Sequence, residues 1–316
     1  MSKKLISIVT GCYNEEGNIK ELNNRIRKAM SQFPQYDYEI ICIDNCSTDG
    51  TRAELSKICD NFKNFRAIFN VRNFGHIRSP WHAFLLAKGD AVIAMASDLE
   101  DPPELIPQMI SKWEEGYTLA LAVRTGTEEK GILPIARKAY YWLIKRLSDV
   151  DQISGFTGFG LYDKSAMDVF RSLNEPYPYV RGLITEMGWK RAEIPFFKPQ
   201  RTRGFTKGNF MIYLDTALLG IVNHSRLPLR CATIMGLFVS GGSFFAGLYY
   251  MIHKLLAWNS FQAGVAPLII GLFFLMGLLF LLLGLIGEYI GLIVTHVTKR
   301  PLVIEEKRIN FNENPH

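Results

Sequence analysis

Over residues 1–205, short apolar runs alternate with stretches in which apolar positions recur at helical spacing. Residues 5–11 (Leu-Ile-Ser-Ile-Val-Thr-Gly) have the pattern of a buried strand, and residues 18–33 follow with Ile19, Leu22, Ile26 and Met30 on one helical face. The same alternation predicts strands over 38–44, 65–70, 91–96 and 119–123, and helices over 51–61, 79–88 and 103–115. Strands that alternate with helices predict an α/β domain built on a mostly parallel sheet.

The pattern changes after residue 205. Residues 209–222 place Phe210, Ala217, Leu218 and Ile221 on one helical face while carrying Asp215, as expected of a helix lying in a membrane interface, so 206–230 are assigned to a juxtamembrane helix and loop. Residues 231–252 and 264–287 contain no charged side chain, and each run exceeds the ~20 residues that cross a bilayer's hydrocarbon, so two transmembrane helices are expected within 231–295. Gly284, Gly287 and Gly291 predict close helix packing, within the chain or between subunits of a homo-oligomer. The remaining tail, 296–316, carries strand-like Leu302-Val303-Ile304 and then polar residues expected to fray. A signal peptide is not expected, because residues 1–10 lead directly into a strand pattern.

Charge orients this arrangement. Arg226 and Arg230 precede the first apolar run, Lys299, Arg300, Lys307 and Arg308 follow the second, and only Lys254 lies between them. The positive-inside rule then places the domain and both termini on the cytoplasmic side of the inner (plasma) membrane. The net charge of +6 fits an anionic membrane surface, and no basic stripe on a nucleic-acid motif suggests nucleic acid as a partner. Residues 137–146 mix cations with aromatics, which suits either a helix in the headgroup layer or a surface helix packed on the sheet. The five cysteines lack the spacing of a metal or redox motif, which argues against disulfides and zinc.

The candidate chemistry gathers where strands end. Residues 89–104 (Gly-Asp-Ala-Val-Ile-Ala-Met-Ala-Ser-Asp-Leu-Glu-Asp-Pro-Pro-Glu) form a strand that delivers acids to its C-terminal mouth, where open α/β sheets bind their ligands. Alternation puts Ala96, Asp98 and Glu100 on one face, and two acids so spaced can share a hard cation. Asp101 fits a cap for the helix that Pro102 and Pro103 begin. The turn after the first strand, Cys12-Tyr13-Asn14-Glu15-Glu16-Gly17, has no G-x-G-x-x-G, so a dinucleotide fingerprint is absent. Asp44, closing the second strand, can accept hydrogen bonds from a ribose or base, whereas Asp49-Gly50-Thr51 has turn and cap chemistry, and His76 fits a hydrogen-bonded loop residue.

On the basic side stand Arg124 at a strand end, Arg137, and the glycine-bearing loop 200–208 with Arg201 and Lys207. Glu15, Asp44, Asp98 and Glu100 facing these arginines beside a bilayer suit two phosphorylated reactants, one soluble and one in the lipid. A diphosphate carrying Mg²⁺ or Mn²⁺ asks the protein for only one or two carboxylates. A lipid monophosphate brought beside it requires fixed arginines, and its anionic oxygen needs no general base to attack.

These segments resemble glycosyltransferase family 2, and within it the polyprenyl-phosphate glycosyltransferases of the dolichol-phosphate mannose synthase and bactoprenol glucosyltransferase type. The likeness runs through Tyr13-Asn14-Glu15-Glu16, 44–51, Arg72-Asn73-Phe74-Gly75, 98–104, Arg181-Gly182-Leu183, 201–207, Pro228-Leu229-Arg230 and Gly287-Glu288-Tyr289-Ile290-Gly291. It implies a GT-A fold over 1–205, an NDP-sugar donor with UDP-hexose favoured, a divalent cation, a polyprenyl (undecaprenyl) phosphate acceptor and inversion at the anomeric carbon. By the same likeness Tyr13, Glu15 and Asp44 line the nucleotide, and Asp98 with Glu100 holds the metal. Arg124, Arg137 and Arg201 hold the lipid phosphate, and Lys207 closes the basic loop. Two positions depart from the family pattern. Ala96 stands where an acid is usual, and Thr157-Gly158-Phe159-Gly160-Leu161 lacks the Asp and Arg of a Gly-Asp-Phe-Arg-Leu segment. They motivate the alternative of a catalytically inactive membrane scaffold of the same fold.

Overall fold

The computed structural model describes residues 3–126, 153, 155–173, 175, 178, 180–197, individual positions between 232 and 256, 265–298 and 300–311. The α/β alternation is realised as β1 (Leu5–Cys12), α1 (Glu16–Met30), β2 (Asp37–Asp44), α2 (Thr51–Asn61), β3 (Phe65–Asn70), α3 (Arg78–Leu86) and β4 (Ala91–Ala96). A 3₁₀ turn (Pro103–Leu105) then leads into α4 (Ile106–Glu114) and β5 (Leu119–Gly126). Beyond them come β6 (Phe156–Asp163), α5 (Lys164–Ser172), α6 (Val180–Met187), β7 (Arg191–Phe197), α7 (Val265–Val297) and β8 (Glu305–Ile309).

The eight strands form one sheet in the order β7-β5-β6-β4-β1-β2-β3-β8. β1 pairs in parallel with both β2 and β4, β2 with β3, and β5 with β7, whereas β6 runs antiparallel to β4 and β5, and β8 antiparallel to β3. The expected parallel sheet is therefore its centre, with antiparallel strands added. The chain proceeds from β1 to β2 and β3 on one side, then crosses back so that β4 lies on the other side of β1. That reversal opens a crevice at the C-terminal strand ends, the place where such sheets bind ligands. Register fixes what meets there: Cys12 stands opposite Asp44, and Gly11 opposite Ala96.

Both faces of the sheet are covered. Ile6, Ile8, Ile40 and Cys42 meet Ile19, Leu22, Ile26 and Met30 of α1 on one face, so the predicted apolar stripe is the buried one. Val9, Ile41 and Ile43 point the other way, toward a cluster that includes Trp81, Phe84, Tyr162 and Phe170. Alternation along each strand is the direct cause of this division.

The C-terminal tail corrects the sequence expectation. The apolar residues 302–304 precede the strand rather than form it, and the charged stretch 305–309 that follows does not fray but adds to the sheet edge beside β3. Asn310 fastens its end, donating Nδ2 to the carbonyls of Cys59 and Phe65 at 2.8 Å each. Charged side chains are usual on a sheet edge, where they discourage pairing with other chains.

Residues 265–287 of the second apolar run lie within α7, whose 33 residues carry Leu268, Leu279 and Phe280 with more than half of each side chain exposed. At 1.5 Å per residue such a helix measures about 50 Å. Of the first run, described positions such as Ile234, Phe238 and Phe245 are helical and exposed. The described residues do not of themselves establish either membrane span. Residues 137–146 and 201–230 lie outside the described residues.

Candidate active site

The crevice is walled by three loops that hydrogen bonds lace together. Asn45 donates its backbone N–H to the Cys12 carbonyl at 2.9 Å, joining the ends of β2 and β1. Asn14, in the left-handed region at φ 55°, donates N–H to Ser47 Oγ at 2.9 Å, and its Oδ1 accepts from Thr48 N–H at 2.8 Å. Asparagine tolerates that backbone better than other side chains. Glu15 donates N–H to Thr51 Oγ1 at 2.8 Å, and its carboxylate accepts from Asn18 Nδ2 at 2.6 Å. Tyr13 and Glu15, both expected at the nucleotide, are half-buried on this wall.

The third loop hangs on Asn45. Its Nδ2 donates to Asn73 Oδ1 at 2.8 Å and to the Gly75 carbonyl at 3.1 Å, and its Oδ1 accepts from Phe74 N–H at 2.9 Å. Asn70 Nδ2 donates to Asn45 Oδ1 at 3.3 Å and to Ser79 Oγ at 2.9 Å. A buried amide satisfied on both sides fixes the 72–76 loop against β2. Asparagine in a polar loop gives no sequence signal beyond turn chemistry, so the role of Asn45 is visible only in the structure.

Asp44 is fully buried at the end of β2. Both its oxygens lie 3.2 Å from the Ser47 N–H that they accept, and Arg52 Nε stands 3.0 Å from Oδ2 as an ion pair that lacks hydrogen-bond alignment. A carboxylate without such partners would be costly there. Arg52 in turn reaches Glu306 of β8 with Nη2 at 2.6 Å, its guanidinium 5.1 Å from the Phe69 ring centroid.

At the β4 mouth, Ser97 Oγ donates to the Gly11 carbonyl at 3.0 Å, and Leu99 turns the chain in the left-handed region at φ 64° while remaining 8% exposed. A leucine there costs about 1–3 kcal/mol, held by its burial. Ala96, Asp98 and Glu100 are half-buried, and Ser97 and Leu99 between them are buried, so the expected alternation persists through the turn. Asp98 Oδ1 accepts from Glu100 N–H at 3.1 Å.

Asp101 is not the helix cap that the sequence suggests, since Pro102 holds the cap position of the following turn and no side chain bonds there. The left-handed Leu99 swings Asp101 back, so that its Oδ2 accepts from Ala96 N–H at 2.9 Å and Oδ1 from Arg124 Nη2 at 3.4 Å. Burial pushes its carboxyl above the usual range, against the opposing pull of the Ala96 amide and Arg124. Arg124 also stands 3.9 Å from Glu100 Oε2.

Across from β4, β6 pairs Gly160 with Ala94. Beyond that pair the ladder ends, and Ala96 and Gly158, two of the departures from the family pattern, follow toward the ends of β4 and β6. Gly158 has φ 109°, a backbone that favours glycine over an aspartate.

The structure thus brings Glu15, Asp44, Asp98, Glu100 and Arg124 to one sheet edge. Arg137, Arg201 and Lys207 lie outside the described residues. Among the described residues no group of three or more His, Cys, Asp or Glu is arranged to hold a metal by itself. Asp98 and Glu100 are nonetheless hard oxygen donors on one half-buried face, a set that fits a cation chiefly chelated by a diphosphate.

Residues 7–170 match the model of Glycosyl transferase family 2. The chain is 33% identical over 302 residues to the uncharacterized glycosyltransferase YkcC of Bacillus subtilis, covering 95% of this chain and 93% of that protein. It is 30% identical over 303 residues to the SfII prophage-derived bactoprenol glucosyl transferase of Shigella flexneri, covering 96% and 97% respectively. In fold it is similar to glucosyl-3-phosphoglycerate synthase from Mycobacterium tuberculosis, solved with Mn²⁺, UDP-glucose and phosphoglyceric acid. That match has a TM-score of 0.50 at 19% identity and covers 69% of this chain and 78% of the other. With its switch-point crevice, its acid-bearing strand mouth and these matches, the chain belongs to glycosyl transferase family 2 and has the GT-A fold.

Proposed function

We propose that the protein transfers a single sugar from an NDP-sugar, a UDP-hexose in preference, to undecaprenyl or another polyprenyl phosphate at the cytoplasmic face of the inner membrane. The observation that carries this reading is the convergence of buried Asp44, the Asp98 and Glu100 face, and Arg124 at one crevice. The acceptor reading is supported by relatives named bactoprenol glucosyl transferase that align over almost the whole chain. The long apolar surface of α7 and the exposed positions of the preceding run support residence in a bilayer, and Gly284, Gly287 and Gly291 support a homo-oligomer.

In this reading Tyr13, Glu15 and Asp44 line the nucleotide, with Asp44 set to accept hydrogen bonds from its base or ribose. Asp98 and Glu100 would hold Mg²⁺ or Mn²⁺, which when bound supplies positive charge to the departing diphosphate. Arg124, Arg137, Arg201 and Lys207 offset the charge of the lipid phosphate, about −1.5 to −2 at neutral pH. An oxygen of that phosphate bonds to the anomeric carbon as the bond to the diphosphate breaks, which inverts the configuration and releases NDP. The attacking oxygen carries no proton that must be removed, so Gly158 in place of an acid costs the reaction no base.

The test is product analysis after incubating purified full-length protein with undecaprenyl phosphate and a panel of UDP- and GDP-sugars. One sugar per lipid phosphate is expected. Longer chains, or no glycolipid with any donor, would contradict the proposal.

A further inference from the structure

We infer that Arg52 is a positioning residue for the donor nucleotide, acting through Asp44 and braced from outside by Glu306 of the C-terminal strand. The inference rests on the proposal that Asp44 faces the nucleotide. Asp44 is buried at a strand end, and Arg52 is the cation placed against it, at 3.0 Å. A planar guanidinium that engages two carboxylates in different directions has little freedom to rotate. Here Nε faces Asp44, Nη2 faces Glu306 at 2.6 Å, and the group lies over the Phe69 ring.

Glu306 is itself fixed by its neighbours rather than waving from a loose tail. Arg78 Nη2 donates to the Pro301 carbonyl at 2.6 Å, and Val71 N–H to the Ile304 carbonyl at 3.1 Å. Lys307 is in register with Phe69, and His82 Nε2 lies 2.6 Å from Glu305 Oε1. The segment that follows α7 is thereby bonded to β3, α2 and α3, the half of the domain that walls the crevice. Removing Arg52 leaves a buried carboxylate without its cation, so Asp44 reorients and its acceptor oxygens are lost to the nucleotide. Removing Glu306 only loosens Arg52, since a half-exposed ion pair contributes little by itself.

Isothermal titration of UDP and of GDP, each with Mn²⁺, into full-length wild-type, Arg52→Gln, Arg52→Lys and Glu306→Gln proteins tests the inference. It is accompanied by the KM for undecaprenyl phosphate and by the thermal unfolding midpoint without nucleotide. Expected for Arg52→Gln is a Kd for the nucleotide raised about tenfold, equivalent to ~1.4 kcal/mol. The lysine variant should recover part of that loss, Glu306→Gln should lose about two- to threefold, and the lipid KM should stay unchanged. Nucleotide affinity within twofold of wild type in Arg52→Gln overturns the inference. So does a parallel loss of lipid affinity with a lowered midpoint, which marks a structural role only. Should Arg52→Gln not fold, Arg52→Lys and Glu306→Gln carry the test, and unchanged affinity in both overturns it. Wild-type protein that binds neither nucleotide removes the donor reading itself, a result distinct from these.

Discussion

Arg124 Nη2 lies 3.4 Å from Asp101 Oδ1, and the other oxygen of the same carboxylate accepts the Ala96 N–H. One buried acid thus clamps the end of β4 and tethers the cation of β5. Asp101→Ala should destabilise the protein by about 1–3 kcal/mol, because it leaves a buried amide and a largely buried guanidinium without their acceptor. Asp101→Asn should cost less, since an amide oxygen still accepts from Ala96. Burial already raises the Asp101 carboxyl above its ordinary value of 3.8, so the folded chain holds this proton more tightly than the unfolded chain does. That group's contribution is therefore largest below pH 3.8 and is lost as pH rises through its folded value. Unfolding midpoints of the two variants across pH check both statements, and an Asn variant less stable than the Ala variant would refute them.

Glu305 has the opposite sign. Burial would raise its carboxyl, but hydrogen bonds from His82 and Arg308 outweigh it and bring it down to about 2. Its stabilisation is present above the ordinary value of 4.5 and is lost as pH falls from there toward 2. Hydrogen exchange of the 305–309 amides should accelerate, after correction for the intrinsic rate, over that interval. Glu305→Gln should remove the pH dependence, and an identical profile in the variant would rule the residue out as its source.

Restoring the family's acid at Gly158 should not improve the protein. Its φ of 109° strains any side chain, at about 1–3 kcal/mol, although open space surrounds the position. Gly158→Asp should lower the thermal unfolding midpoint without raising turnover. An unchanged midpoint would show that strain does not hold this position to glycine.

What the sequence could and could not reveal follows from the range of the interactions involved. The stripe Ile19, Leu22, Ile26 and Met30 is periodic and local, so the face that α1 buries was visible without a structure. The same holds for the outward set Asp98 and Glu100, whose alternation survives the end of β4. Asp101 departs from the expected cap because its partners depend on one left-handed leucine, and a leucine carries no signal for that backbone. β8 was missed because edge strands need no apolar run, and its pairing with β3 joins distant parts of the chain. Arg52 escaped notice for the same reason, since its two carboxylates come from β2 and β8.

The most direct measurement is nucleotide diphosphate release by purified full-length protein in lipid nanodiscs, supplied with each UDP-hexose, with and without undecaprenyl phosphate and Mn²⁺. Release should require both additions, and Asp98→Asn should reduce it by about a hundredfold. Release that ignores the lipid phosphate, or that Asp98→Asn leaves unchanged, would contradict metal-assisted sugar transfer to a polyprenyl phosphate. No release with any donor would leave the inactive scaffold as the better account.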